Sequence, residues 1–233
     1  MFHEWIQIAG LFVISWLLLR MLAGQSLYVL GWMPPPQMIR YAIILLLITS
    51  LSASLSFVLR IGIAQEKYIL NAGFSGSDLL AACWQTFRSV LTEELLFRGA
   101  LLYILLQRFG AKPAVGITAV LFAGFHWLDP KLWTRPEEFI LVFLFTFLMG
   151  MVLATAFVRT QTIWIPILIH LAWNLVQQIL FPGMPGGVSV FVLAAEPPVV
   201  TISYFELFIL LFLPKLLVVG LNAWILYRMK SLR

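Results

Sequence analysis

Long uncharged apolar runs make up most of the chain and predict helices that cross a membrane. Six runs are long enough and contain few enough charged residues to be transmembrane helices. They cover residues 5–22, 41–59, 113–127, 139–158, 163–181 and 204–227. Proline, glycine and asparagine residues, which interrupt helices, lie in the connections between them. The pattern therefore predicts an all-α fold, a polytopic bundle of membrane helices.

A seventh apolar segment, residues 79–109, differs because charged side chains interrupt it. Arg88, Glu93, Glu94 and Arg98 fall within three turns of one helix. Each charge at mid-membrane costs about 2.5–3.5 kcal/mol on insertion scales, so four unpaired charges would cost roughly 10–14 kcal/mol. These side chains must face protein or a water-filled interior. A helix of this length, about 45 Å, must also tilt, break near Arg88 or begin at the membrane interface.

The amino-acid composition indicates a membrane protein without a sizeable soluble domain. The 233 residues are 62% apolar and 11% charged, with a mean hydropathy of +0.98. Globular chains average about 25% charged residues, so a soluble domain, including a nucleic-acid-binding one, is excluded. We expect one membrane domain over residues 1–233, with seven to eight helices around a polar intramembrane cavity. The single cysteine, Cys83, excludes an internal disulfide.

Basic residues predict which side of the membrane each connection occupies. If the seventh segment crosses once, one set of connections carries Arg20, Arg40, Arg108, Lys112, Arg159, Arg228, Lys230 and Arg233. The opposite set carries Arg60, Lys67, Lys131 and Arg135, diluted by Glu66, Asp78, Asp129, Glu137 and Glu138. Cytoplasmic connections are enriched in lysine and arginine. We therefore expect an integral membrane protein with a cytoplasmic C-terminus, in a prokaryotic inner membrane because organelle-targeting features are lacking.

The first of three polar patterns, EELLFR at residues 93–98, lies on the charged segment. Glu94 and Arg98 are four residues apart and can pair on one helix face, which offsets most of the burial cost of both. Glu93 is rotated by about 100° from that face, so it is not the natural partner of Arg98. It is left as a carboxylate suited to general-base chemistry.

The other two patterns are FAGFH at residues 122–126 and HLAWN at residues 170–174. His170 and Asn174 share a helix face and offer an imidazole and a carboxamide, a possible oxyanion donor, to one cavity. Counted from the predicted cytoplasmic helix ends, Glu93, His126 and His170 lie at depths of about 22, 20 and 16 Å. We expect the three side chains to meet near the middle of the membrane.

These patterns, EExxxR, FxxxH and HxxxN in this order on successive membrane helices, resemble the CAAX-processing and bacteriocin-processing (CPBP, or Abi) intramembrane proteases. That family is related to the type II CAAX prenyl endopeptidases. The similarity covers about residues 79–181. It implies about eight helices around a cavity and hydrolysis of a peptide bond by activated water.

The resemblance also implies a catalytic set. The matching positions are Glu93, Glu94, Arg98, His126, His170 and Asn174. By position, Glu93 would activate water with assistance from His126. The second histidine and the asparagine would stabilise the oxyanion, and the Glu94–Arg98 pair would orient the site. The expected partners are membrane lipid and a protein or peptide substrate that enters from the bilayer or the membrane surface.

Two other functions are compatible with the same residues. Buried glutamate and histidine side chains could form the relay of a proton-coupled transporter, although the sequence shows neither inverted halves nor paired broken helices. A non-catalytic immunity protein could bind peptides in the same cavity. Lys215, in the last apolar run, is an intramembrane charge to which the sequence assigns no role.

A zinc ion is the alternative to direct activation of water. Glu93, His126 and His170 could form a His₂Glu site with its fourth position open for water. The HExxH spacing is absent, however, and no acidic residue lies within one turn of His170 to fix its tautomer. We therefore favour water activated by Glu93 without a cofactor, with zinc as the alternative.

Overall fold

The computed structural model describes residues 2–130, 132–136, 138–181 and 189–229, which are mostly helical. The helices are α1 (Phe2–Ala23), α2 (Gln37–Ile63), α3 (Gly76–Arg98), α4 (Ala100–Phe109), α5 (Ala111–Phe125), α6 (Glu138–Thr160), α7 (Trp164–Leu175) and α8 (Tyr204–Arg228). Two short strands, β1 (Tyr68–Leu70) and β2 (Phe191–Leu193), accompany them. The prediction of an all-α membrane bundle is confirmed.

Five helices in the described ranges are long and apolar enough to cross a membrane. They are Trp5–Ala23, Gln37–Ile63, Ala111–Leu128, Glu138–Thr160 and Tyr204–Arg228. Helix α7 continues into a π-helical turn, Val176–Leu180, and together they form a shorter apolar helix, Trp164–Leu180. Each of the six predicted apolar runs contributes one of these helices. The protein is an integral membrane protein.

The charged seventh segment breaks at Gly99 and not near Arg88, the position of the break in one of the three alternatives that its length allowed. Helix α3 runs through Arg88 without interruption, and the additional helix is α4, which follows Gly99. The backbone of Gly99 leaves the helical conformation (φ −78°, ψ −128°). A Cβ atom at this position would lie 2.2 Å from the carbonyl oxygen of Leu95, so the close approach requires glycine. A capping box between Ser75 and Asp78 fixes the start of α3.

Contacts between connections define one end of the bundle, called here the basic end. The Thr162 hydroxyl donates to the Gly31 carbonyl (2.6 Å), and the Trp164 indole donates to the Trp32 carbonyl (2.8 Å). The connections α1–α2 and α6–α7 therefore lie together. Arg159 donates to the carbonyls of Leu226, Tyr227 and Met229, which brings the end of α8 to the same place. The described basic residues of this end are Arg20, Arg40, Arg108, Lys112, Arg159 and Arg228.

The two strands define the opposite end. Strand β1 pairs antiparallel with β2, with Ile69 opposite Val192, and so joins the α2–α3 connection to the α7–α8 connection. Glu66 accepts from both Arg60 and Tyr68 and ties β1 to the end of α2. Burial, with this hydrogen bond, raises the pKa of Tyr68. Among the residues used for the orientation, Lys131, Glu137, Lys230 and Arg233 lie outside the described ranges.

Candidate active site

A buried ion pair between Glu94 and Arg98 forms the base of the candidate site. Arg98 Nη1 lies 3.1 Å from Glu94 Oε1, and neither side chain is exposed to solvent (0%). The pairing predicted from their i,i+4 spacing is present. The Arg98 guanidinium carbon lies 4.2 Å from the centre of the Phe122 ring on α5, and its Nη2 lies 3.4 Å from the Gly150 carbonyl oxygen on α6. Arg98 therefore binds α3 to two other helices.

Gly150 is a residue of this site that the sequence did not reveal. A Cβ atom there would lie 3.1 Å from the Cα atom of Ala119 and 3.2 Å from the Phe122 ring, so α6 approaches α5 closely. This approach brings the Gly150 carbonyl to Arg98. The signal in the sequence is only a small residue inside a long apolar run, which is common in packed membrane helices.

His170 joins the ion pair from α7. Its Nδ1 atom lies 2.8 Å from Glu94 Oε1, the oxygen that also accepts from Arg98. An ionised carboxylate only accepts hydrogen bonds, so Nδ1 carries the proton in this contact. The expectation that His170 lacks an acidic partner to fix its tautomer is therefore wrong. The partner comes from α3 rather than from the neighbouring turn of its own helix.

Glu93 faces the other nitrogen of the same imidazole. Its Oε2 atom lies 3.8 Å from His170 Nε2, and its side chain is 16% exposed. Oε1 accepts from the Ser89 hydroxyl at 3.3 Å. Oε2 is buried and has no hydrogen-bond partner among the described residues. Glu93 Oε2, which accepts no hydrogen bond from the described residues, therefore faces His170 Nε2.

In the described part of the chain, the side chains of His126 and Asn174 form no hydrogen bond with the side chains of the two glutamates or of His170, and each is placed by its own helix. His126 begins a 3₁₀ turn at the end of α5, and its ring centroid lies 4.7 Å from that of Phe122. The Phe122 ring also contacts His170, at 5.9 Å. Because His126 Nδ1 contacts the Phe122 carbonyl at 2.8 Å, its Nε2 is the nitrogen left for chemistry. Asn174 is half-buried one turn after His170 on α7.

A cleft of about 460 Å³ with a mixed polar and apolar lining extends along α3 toward Glu93. The residues that line it are Asp78, Ala81, Ala82, Gln85, Thr86, Ser89, Gln178 and Ile179. Ser89, at its inner end, is the hydrogen-bond partner of Glu93. Gln85 and Ser89 were not among the residues predicted to belong to the site. Their signal is a polar helix face, since Gln85, Ser89 and Glu93 follow one another at intervals of four residues.

The residues proposed as zinc ligands meet only in part. His170 Nε2 and Glu93 Oε2 face each other, and the contact from His170 Nδ1 to Glu94 is typical of metal-binding histidines. The described residues nevertheless contain no group of three or more His, Cys, Asp and Glu side chains that could hold a metal ion. Glu93 and His170 are therefore close enough to bind one metal ion, whereas His126 does not lie beside them.

Comparison with known protein families identifies the central part of the chain. Residues 75–176 match the family model described as type II CAAX prenyl endopeptidase Rce1-like. This segment, which is less than half of the chain, is similar to an Rce1-like domain. It extends from the N-terminal cap of α3 to the start of the π-helical turn and contains all six candidate residues. The resemblance predicted from the three patterns is confirmed, and the Rce1-like domain indicates an intramembrane protease of the CAAX type. No curated protein and no solved structure is similar enough to the chain to count as a match.

Proposed function

We propose that the protein is an intramembrane endopeptidase that hydrolyses a peptide bond of a membrane-associated protein or peptide with water activated by Glu93. The observation that carries the proposal is the position of Glu93 Oε2. This oxygen is buried, has no hydrogen-bond partner among the described residues and lies 3.8 Å from His170 Nε2. The cleft along α3 ends beside it at Ser89.

In the first step, Glu93 Oε2 accepts a proton from a water molecule whose oxygen forms a bond to the scissile carbonyl carbon. The carbonyl π electrons move to its oxygen and give a tetrahedral oxyanion. In the second step, the C–N bond breaks, and the proton held by Glu93 passes to the leaving amine. General-base catalysis of this kind contributes about 10²–10⁴-fold in rate.

His170 is the oxyanion donor in this proposal. In its protonated form, Nδ1 donates to Glu94 and Nε2 donates to the oxyanion, so one imidazolium serves both contacts. That charge also balances the cluster, where two carboxylates, Glu93 and Glu94, face one arginine. Asn174, one turn farther along α7, supplies a second donor. His126 assists through Nε2, and Arg98 with Glu94 positions His170.

Zinc is the alternative that the same contacts allow. Glu93 and His170 would hold a zinc ion, with His126 as a third ligand only if its side chain moved toward them, and the ion would supply a Lewis acid and a water of lowered pKa. In that case His170 is neutral, with its Nδ1 proton donated to Glu94 and its Nε2 lone pair directed at the metal. The two mechanisms therefore assign opposite protonation states to Nε2 of one histidine.

We also propose that the C-terminus lies in the cytoplasm of a prokaryotic cell. The basic end contains six described arginine and lysine residues, and none of the ten acidic residues of the sequence lies in its connections. Helix α8 ends there, because Arg159 donates to its last carbonyls. The asymmetry is the one that distinguishes cytoplasmic connections.

The test is mass spectrometry of membrane and secreted peptides from cells that express the wild-type protein or Glu93→Gln at equal levels. Cleavage products present with the wild type and missing with the variant give both the activity and the cleavage site. The same products at wild-type levels in the Glu93→Gln cells would remove Glu93 from the mechanism. If the wild type adds no products to those of cells without the protein, the protease assignment fails.

A further inference from the structure

The cleft along α3 starts at the end of the bundle opposite the basic end. Asp78, at its outer rim, lies in the first turn of α3, directly after strand β1 and its turn. The other wall consists of Gln178 and Ile179 in the π-helical turn. This turn follows α7 and lies at the end of the bundle opposite the basic end. From Asp78 to Ser89 the helix advances about 16 Å toward the candidate site.

The bundle is packed on the other side of the site. Between Glu93 and the basic end, α3 and α4 bury Leu95 and Leu102 against Ile163 and Ile167 of the α7 region, and each of these four side chains is at most 1% exposed. Buried apolar side chains leave no room for a hydrated polypeptide between these parts of α3, α4 and the α7 region. The cleft, by contrast, reaches Ser89, whose hydroxyl donates to Glu93.

The lining of the cleft suits a polypeptide backbone. Gln85 and Gln178 each carry an amide that both donates and accepts, and Ser89 adds a hydroxyl. Ala81 and Ala82 leave room between these polar groups. An extended chain has unpaired N–H and C=O groups along both edges, which such a surface can satisfy.

Combining the cleft with the charge asymmetry gives the side from which substrate enters. We infer that the cleft admits an extended polypeptide from the non-cytoplasmic face of the membrane, so that the substrates are exported or translocated segments rather than cytosolic ones. This inference rests on the proposed function for the cleavage step. The side on which the cleft opens follows separately from the positions of the basic end and of Asp78.

The test uses single cysteines in a Cys83→Ala background whose Glu93-dependent cleavage products have been measured first. Ala81→Cys places a thiol in the cleft at an exposed position, and Gln107→Cys places one at an exposed position of the basic end. Intact cells are treated with a membrane-impermeant maleimide. We expect Ala81→Cys to react and to lose cleavage at least tenfold after modification. Gln107→Cys should react only after the membrane is permeabilised, with cleavage unchanged.

Two results would overturn the inference. If Gln107→Cys reacts in intact cells and Ala81→Cys does not, the cleft opens to the cytoplasm. If modified Ala81→Cys retains full cleavage, the cleft is not the route of the substrate. Failure of the proposed function looks different, because no variant then yields Glu93-dependent products while the labelling pattern still reports the side on which the cleft opens.

Discussion

Glu94 Oε1 lies 2.8 Å from His170 Nδ1, so a residue of α3 and a residue 76 positions later on α7 share one buried contact. The same oxygen accepts from Arg98 at 3.1 Å. The ion pair that allows charged groups to be buried is thus also the support of the histidine that faces Glu93. This one carboxylate therefore links the stability of the bundle to the proposed chemistry.

The same substitution at the two neighbouring glutamates should affect different properties, cleavage at Glu93 and yield at Glu94. Glu93→Gln should lower cleavage by about 10²–10⁴-fold at unchanged yield, because the amide keeps the volume and removes the base. Glu94→Gln should lower the yield, because it leaves the buried charge of Arg98 without a counter-ion. Purified yield, thermal stability in detergent and cleavage are measured for both. Equal loss of yield in the two variants would contradict this division of roles.

Arg98→Ala should destabilise the fold by about 3–5 kcal/mol, because Glu94 then stays buried without its partner. The matched control is Arg135→Ala, which breaks an exposed i,i+3 pair with Glu138 and should change stability by about 1 kcal/mol or less. Unfolding in a denaturant series in detergent compares the two. An Arg98→Ala variant as stable as the control would show that the pair does not stabilise the bundle.

Gly99→Ala should disrupt the α3–α4 junction, because the added Cβ atom would lie 2.2 Å from the Leu95 carbonyl oxygen. Gly116→Ala is the control, since nothing lies within 4 Å of its Cβ position on α5 and alanine favours a helix by about 1 kcal/mol. We expect a lower melting temperature for the first variant and an equal or higher one for the second. Equal melting temperatures for Gly99→Ala and the wild type would show that the junction adapts.

Activity should survive exhaustive chelation, and purified active protein should lack stoichiometric zinc. In the favoured mechanism, His170 Nε2 carries a proton and donates it in a hydrogen bond rather than binding a metal. Elemental analysis and cleavage assays before and after chelation test this, with zinc added back as the control. Zinc at one equivalent, with activity lost on removal and restored on return, would establish the metal mechanism.

The helices that cross the membrane could be predicted because each is a continuous apolar run, and the lipid environment leaves few other structures for such a run. The Glu94–Arg98 pair could be predicted because its geometry is local to one helix. The contact of Glu94 with His170 could not, since it depends on how α3 packs on α7. The break at Gly99 depends on the backbone conformation of one glycine, for which the sequence offers no periodic signal.

Strands β1 and β2 were beyond prediction for a related reason. Each has three residues, too few for an alternating pattern, and the partner of Tyr68 is Leu193, far along the chain. Ser89 and Gln85 did leave a signal in the spacing that they share with Glu93. The uncharged polar residues at this spacing extend the face of Glu93 toward the N-terminus of α3, where they form the wall of the cleft.

The depth of the cleft sets a requirement on any substrate. From Asp78 at the rim to Glu93, the helix advances about 22 Å, and an extended chain covers that distance with about seven residues. On the proposed route through the cleft, a peptide bond reaches Glu93 only if about seven residues on one side of it are extended. Tails, linkers and unfolded segments meet this requirement, whereas a compact domain does not.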